Sequence, residues 1–162
     1  MPRIESDLRT TPSVLDRLID LDPGLSSEPP ASRQKSLRQL KDSVRRDLEW
    51  LLNSRRLVDE IPADLKETRR SLASYGLPDF TGAGVKNPAE QDSMRRLIQS
   101  AVEAFEPRLK NVVVTVETGR EFERSLHFRI VAYLQVEPAP ELVTFDTILQ
   151  PLSSEFEVQE EK

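Results

Sequence analysis

Residues 105–118 read Phe105-Glu106-Pro107-Arg108-Leu109-Lys110-Asn111-Val112-Val113-Val114-Thr115-Val116-Glu117-Thr118, and the fold turns on them. An amphipathic helical pattern runs into Pro107, whose ring fixes its own backbone and disfavours helix in the residue before it; β-branched residues follow at once. Before this corner the pattern is helix and loop, and after it the pattern is strand as far as Leu149. The chain therefore reads as α+β, with N-terminal helices packed on a small, mainly antiparallel sheet of three to four strands. Glu106 and Arg108 flank the proline. A carboxylate and a guanidinium so placed can pair with each other, with a partner or with backbone ends.

Upstream of the corner, the spacing predicts a helix with Asn87 as N-cap, Pro88 in the first helical position and Glu90 three residues after the cap. Met94, Leu97, Ile98, Ala101, Val102 and Phe105 fall at steps of three and four, which gives it a wide apolar face to lay on the sheet. Downstream, Val112, Val114 and Val116 share one side of a first strand, and a polar turn follows from Thr118. In a second strand Leu126, Phe128, Ile130, Ala132, Leu134 and Val136 alternate with His127, Arg129, Val131, Tyr133 and Gln135. Pro138 and Pro140 turn the chain into a third strand over 142–149, with Val143, Phe145, Thr147 and Leu149 on one side. The result is a three-stranded meander. Beyond Pro151, four glutamates surround Phe156 and Val158, as in a frayed acidic tail or an edge strand ordered by a partner.

Further out, residues 32–53 form the longest helix. Leu37, Leu40, Val44, Leu48 and Leu51 make one stripe, widened by Trp50 and Leu52; Ser32 or the Ser36/Gln39 capping box opens it, and Asn53 stops it. Between Arg33 and Arg56 stand eight basic residues against three acidic ones, including Arg45, Arg55 and Arg56. Such a face is either a solvated helix side or a docking surface. Asp64 is placed to cap a helix through about Ser74, and Tyr75-Gly76-Leu77-Pro78-Asp79-Phe80 reads as a compact turn with Tyr75 and Phe80 buried. Residues 81–86 lack the spacing of a phosphate loop. Residues 1–31 hold one short helix around Val14, Leu15, Leu18, Ile19 and Leu21, followed by a Ser/Pro linker; it is expected to dock on a partner. The domain reading is an extension over 1–31, one folded unit over 32–152 and an acidic tail over 153–162.

Composition narrows the chemistry. The 162 residues are 37% hydrophobic and 31% charged, enough for one core beneath a polar surface, and the net charge of −5 argues against nucleic acid held by bulk phosphate neutralisation. With no cysteine and only His127, thiolate metal sites, histidine zinc sites and catalytic triads lack their ligands, so no cofactor is expected. The sequence has no apolar run near the roughly 20 residues of a membrane span and no leader-like apolar core at its start, which suits a cytoplasmic protein. Glu106 is the best candidate acid, with Asp146 as a second carboxylate, but the cation two residues away favours its charged form. That makes it a better ion-pair partner than a general acid.

Three stretches carry a resemblance: Leu51-Leu52-Asn53-Ser54-Arg55-Arg56, Tyr75-Gly76-Leu77-Pro78-Asp79-Phe80 and Glu106-Pro107-Arg108-Leu109, followed by the strand Leu126-His127-Phe128-Arg129-Ile130. In this order they resemble the baseplate wedge family of contractile injection machines, sometimes labelled lysozyme-like, and more closely its TssE-type members in bacterial type VI secretion systems. The likeness covers roughly residues 32–150, with Ser54 where threonine is frequent. It implies a structural, non-enzymatic subunit on the cytoplasmic side of the inner membrane. Its implied partners are the wedge proteins TssF, TssG and TssK and the sheath proteins TssB and TssC. It also implies a central role for Glu106, Pro107 and Arg108 in starting sheath assembly. The label leaves peptidoglycan hydrolysis through Glu106 as the alternative.

Overall fold

The computed structural model describes residues 13–19, 24, 33–57, 61–62, 64–79, 87–117, 125–150 and 155–160. Among these, three α-helices precede four strands: α1 Val14–Leu18, α2 Arg33–Asn53 and α3 Pro88–Phe105, then β1 Leu109–Glu117, β2 Leu126–Leu134, β3 Glu141–Leu149 and β4 Phe156–Glu160. The strands make one antiparallel sheet in the order β1-β2-β3-β4, with α3 packed against β1 and α2 against β4. The α+β architecture read from the periodicities is the one observed.

One core joins the two layers. Leu40, Val44, Leu48 and Leu51 of α2 are buried, as are Met94, Ile98 and Val102 of α3 and Phe128, Ile130, Val143 and Phe145 of the sheet. Each fully buried side chain of this size contributes about 1.5–3 kcal/mol of transfer free energy, so the core rather than helix propensity fixes the layers. Trp50 departs from the expected stripe: it is 53% exposed, and the Arg46 guanidinium lies over its ring at 5.2 Å. Residues 44, 48, 51 and 52 already occupy the arc that faces the core, and Trp50 falls outside it.

The α3 start follows its sequence signals. The Asn87 side chain accepts from the Ala89 N–H at 3.0 Å, Pro88 is the first helical residue, and Glu90 accepts from the Asn87 amide at 3.0 Å. α2 begins at Arg33, a turn ahead of the Ser36/Gln39 pair, and ends at Asn53 as expected; Ser32 lies outside the described residues. The helix expected after Asp64 is instead two 3₁₀ turns, Thr68–Arg70 and Leu72–Ser74. Ser71 breaks it by local bonding. Its hydroxyl donates to the Thr68 carbonyl at 2.7 Å and accepts from the Ala73 N–H at 3.3 Å.

Two features of the sheet were hidden in the pattern. β1 carries a bulge between Lys110 and Val113, with Asn111 at φ 53°, a left-handed conformation that asparagine tolerates better than most residues. The bulge rephases the strand, so Leu109 and Val112, three apart, both point into the core. The acidic tail holds a strand that the chain itself orders. β4 pairs with β3 from Leu149–Phe156 to Phe145–Glu160, with Phe156 and Val158 buried. Asn53 at the end of α2 donates to the Phe156 carbonyl at 2.9 Å and accepts its N–H at 2.7 Å. Arg45 donates to the Val158 carbonyl at 3.3 Å, and Lys41 binds Glu141 and Glu160 at 2.7 and 3.4 Å. α1 likewise finds its support within the chain, on α2 through Asp16. Phe80 and the 81–86 loop lie outside the described residues.

Candidate functional site

The three stretches that carry the resemblance meet in space. Gly76 sits at φ +96° against Ser54, where any Cβ would overlap the Ser54 carbonyl, so both the conformation and the room demand glycine. Main-chain bonds close the junction: Leu77 N–H to Ser54 carbonyl at 2.9 Å and Arg56 N–H to Leu77 carbonyl at 2.9 Å. Arg55 pairs with Asp79 beside it. Tyr75 then packs edge-on against Phe105, with ring centroids 5.3 Å apart, at the end of α3. Leu51, Tyr75, Phe105, Glu106, Pro107 and Arg108 share the wall of one cavity of about 330 Å³, with Asp47 and Ser13 completing it.

At the corner Glu106 is buried, 4% exposed, and both its oxygens face Arg108. The Arg108 Nε donates to Oε1 at 2.6 Å, a terminal nitrogen donates to Oε2, and the Arg108 backbone N–H reaches Oε1 at 3.2 Å. The proline between them holds the carboxylate and the fork at this short span. Arg108 continues onto α2, donating to Asp47 Oδ2 at 2.6 Å and to the Ser43 hydroxyl at 3.2 Å. Asp47 Oδ1 accepts from Arg46 at 3.0 and 3.2 Å, and Arg46 donates to Asp16 Oδ1 on α1 at 2.8 Å. Carboxylate and guanidinium thus alternate from Glu106, the C-cap of α3, across α2 to Asp16 on α1.

The electrostatics follow from this order. Desolvation pushes Arg108 down, but hydrogen bonds and charge from Glu106 and Asp47 outweigh it and leave the guanidinium firmly protonated. Partial desolvation pushes Asp16 up, yet hydrogen bonds from Ser13, Arg46 and Ser43 hold it at about 2. The Tyr75 hydroxyl is raised by burial and then by the Asp47 and Glu106 carboxylates. In this setting the Glu106 carboxylate acts as an ion-pair acceptor. Asp146, weighed as a second catalytic carboxylate, faces the other side of the sheet and pairs with Arg129 at 3.0 Å. The inward neighbours of Asp146 on β3 are Phe145 and Thr147, so alternation alone puts it away from the corner.

Of the six residues singled out from sequence, Glu106, Pro107 and Arg108 come together, and Arg45 on α2 and Arg55 and Arg56 just beyond it do not join them. Arg45 turns toward β4 and Glu49, Arg55 is held by Asp79, and Arg56 lines a separate cavity of about 590 Å³ with Arg69, Leu77 and Ala101. Lys41, Arg45, Arg46 and Arg55 of the basic face are therefore engaged by the chain's own carboxylates and carbonyls. Asp47, Ser43, Arg46 and Asp16 were missed. The spacing of Ser43 and Asp47, one helical turn apart on the flank of the apolar stripe, was the available signal.

Fold and site together define a small α+β scaffold whose buried charges are directed at one another. No described residues form a group of three or more His, Cys, Asp or Glu placed to hold a metal, and no described helix is long and apolar enough to cross a membrane. The chain belongs to the family of baseplate wedge protein gp25, whose family model matches residues 38–139. That family consists of structural baseplate proteins, and membership implies contacts with other baseplate proteins. Comparison with curated proteins and with solved structures gives no match.

Proposed function

We propose that this chain is a TssE-type wedge subunit of a type VI secretion baseplate, lying on the cytoplasmic side of the inner membrane and helping to start the contractile sheath. In this reading TssF, TssG and TssK are its wedge partners, and TssB and TssC supply the sheath. The observation that carries it is the position of the Glu106-Pro107-Arg108 corner directly ahead of β1, the strand at the end of the sheet that pairs only with β2 among the described strands. At the opposite end, Asn53 and Arg45 already occupy main-chain groups of β4. An arriving strand adds more readily to the β1 side, where main-chain bonds supply affinity and side-chain pockets supply register. The buried ion pair acts by fixing where β1 begins, and the cavity at the corner receives a wedge partner. Arg45, Arg55 and Arg56 then serve mainly to hold β4 and the 76–79 turn, with their exposed parts at the rim of the interface.

Co-purification with wedge and sheath proteins tests this, using Arg108→Lys, which keeps the charge but loses the bidentate fork. Thermal melting first establishes that the variant folds. Folded variant that keeps its wedge partners and fails to recruit sheath supports the reading. Normal recruitment of both reduces the corner to local scaffolding.

A further inference from the structure

The alternating charges at the corner end on a group from outside the family-matched segment. Glu106, Arg108, Asp47 and Arg46 all lie within residues 38–139 and balance two carboxylates against two guanidiniums. Asp16 adds an uncompensated fifth charge. Its oxygens are met from α2 by separate donors, Oδ1 by Arg46 at 2.8 Å and Oδ2 by the Ser43 hydroxyl at 2.7 Å, while within α1 Oδ2 also accepts from the Ser13 hydroxyl at 2.6 Å and the Ser13 N–H at 3.3 Å as the capping box of that helix. Ser43 and Arg46 stand three residues apart on α2, so hydroxyl and guanidinium converge on one point. This is the donor set of a carboxylate receptor.

Among the described residues, little apolar contact holds α1 in place. Val14 and Leu18 are 75% and 76% exposed, and Leu15 and Ile19 are also exposed, so the helix buries little apolar surface. Among the described residues its polar bonds to α2 run through Asp16, and a partly exposed ion pair of this kind is weak.

We propose that Ser43 and Arg46 form a carboxylate-binding site that Asp16 occupies in cis, and that an acidic side chain of an assembly partner takes the same place in trans, lifting α1 from the corner. The proposal rests on the reading of the corner as a docking surface and adds the chemistry of the group that docks. The receptor is preorganised, because Asp47 fixes the Arg46 guanidinium on one side and the Trp50 ring backs it at 5.2 Å. Ser13, the N-cap of α1, lines the corner cavity, so departure of α1 widens the cavity in the same step.

The full chain carrying Asp16→Asn tests this with acetate as the probe and acetamide as its neutral control, read by the NMR signal of the Arg46 Nε–H at constant ionic strength. Asp16→Asn is expected to give a saturable shift with a midpoint on the order of 100 mM. The wild-type chain, whose tethered Asp16 competes, is expected to need roughly tenfold more. Asp16→Asn combined with Arg46→Lys is expected to lose the response to acetate at this site, followed on the Ser43 amide. Equal responses in wild type and Asp16→Asn, or an equal response to acetamide, would overturn the proposal, as would absence of saturation. No wedge or sheath protein enters this assay, so its failure is distinct from a failure of the assembly reading, which co-purification decides.

Discussion

Two ion networks sit on opposite sides of this sheet, and they differ in what they can do. On the outer face Arg129 joins Glu117 and Asp146, each at 3.0 Å, with all three side chains more than a third exposed. At the corner Arg108 joins Glu106 and Asp47, with the Glu106 side chain 6% and Arg108 24% exposed. The outer network ties β1, β2 and β3 together in register, but water competes for every member. The corner network has little water to fall back on, so each member depends on the others. A buried pair of this sort adds little or no stability over an apolar substitute yet is costly to break singly. It therefore acts mainly by defining geometry, here the point at which α3 stops and β1 starts.

The largest expected effect tests that asymmetry. Arg108→Ala leaves Glu106 buried without its fork and is expected to cost about 3 kcal/mol, roughly 6–12 °C in melting temperature. Replacing both partners, Glu106→Gln with Arg108→Met, is expected to cost less than Arg108→Ala alone; a larger cost would mean the pair is strongly stabilising in its own right. Gly76→Ala comes next. It places a Cβ in a left-handed conformation against the Ser54 carbonyl, and about 2 kcal/mol by denaturant titration is expected. A neutral result would show that the 54–56 and 75–79 segments do not need their tight junction.

Asp16→Asn is expected to cost about 1 kcal/mol or less, because the pair is partly screened. Its pH dependence has a definite sign. The folded-state value of about 2 lies below the ordinary 3.8, so the contribution of Asp16 is complete above about pH 4 and is lost as pH falls through about 2. Melting of wild type and Asp16→Asn should therefore converge on acidification, and a difference that grows toward low pH would contradict the assignment. Smallest of all, Arg129→Ala on the outer face is expected to change stability by about 0.5 kcal/mol or less. A cost equal to that of Arg108→Ala would erase the contrast between the two networks.

The contrast also separates what was legible in the sequence from what was not. The α2 stripe apart from Trp50, the α3 stripe, the Asn87 cap, the alternation of β2 and β3 and the helix-to-strand corner at Pro107 are short-range patterns, and each appears where its period places it. The partners of the corner left only the one-turn spacing of Ser43 and Asp47 as a trace, which does not point to Arg108: Asp47 and Ser43 lie 61 and 65 residues from it and become neighbours only when α2 settles on the core. The Asn111 bulge escaped because nothing in a run of β-branched residues marks the extra residue. β4 was obscured by its glutamates; the alternation of Phe156 and Val158 was present, but its support comes from Asn53, 103 residues away.

Hydrogen exchange on β1 and β4, measured on the chain alone, with wedge partners, and with wedge and sheath proteins together, tests most directly whether β1 is the edge that receives the sheath. Sheath addition is expected to slow exchange along β1, beginning beside Arg108, and to leave β4 nearly unchanged. Protection that appears on β4 while β1 exchanges as before would contradict that expectation.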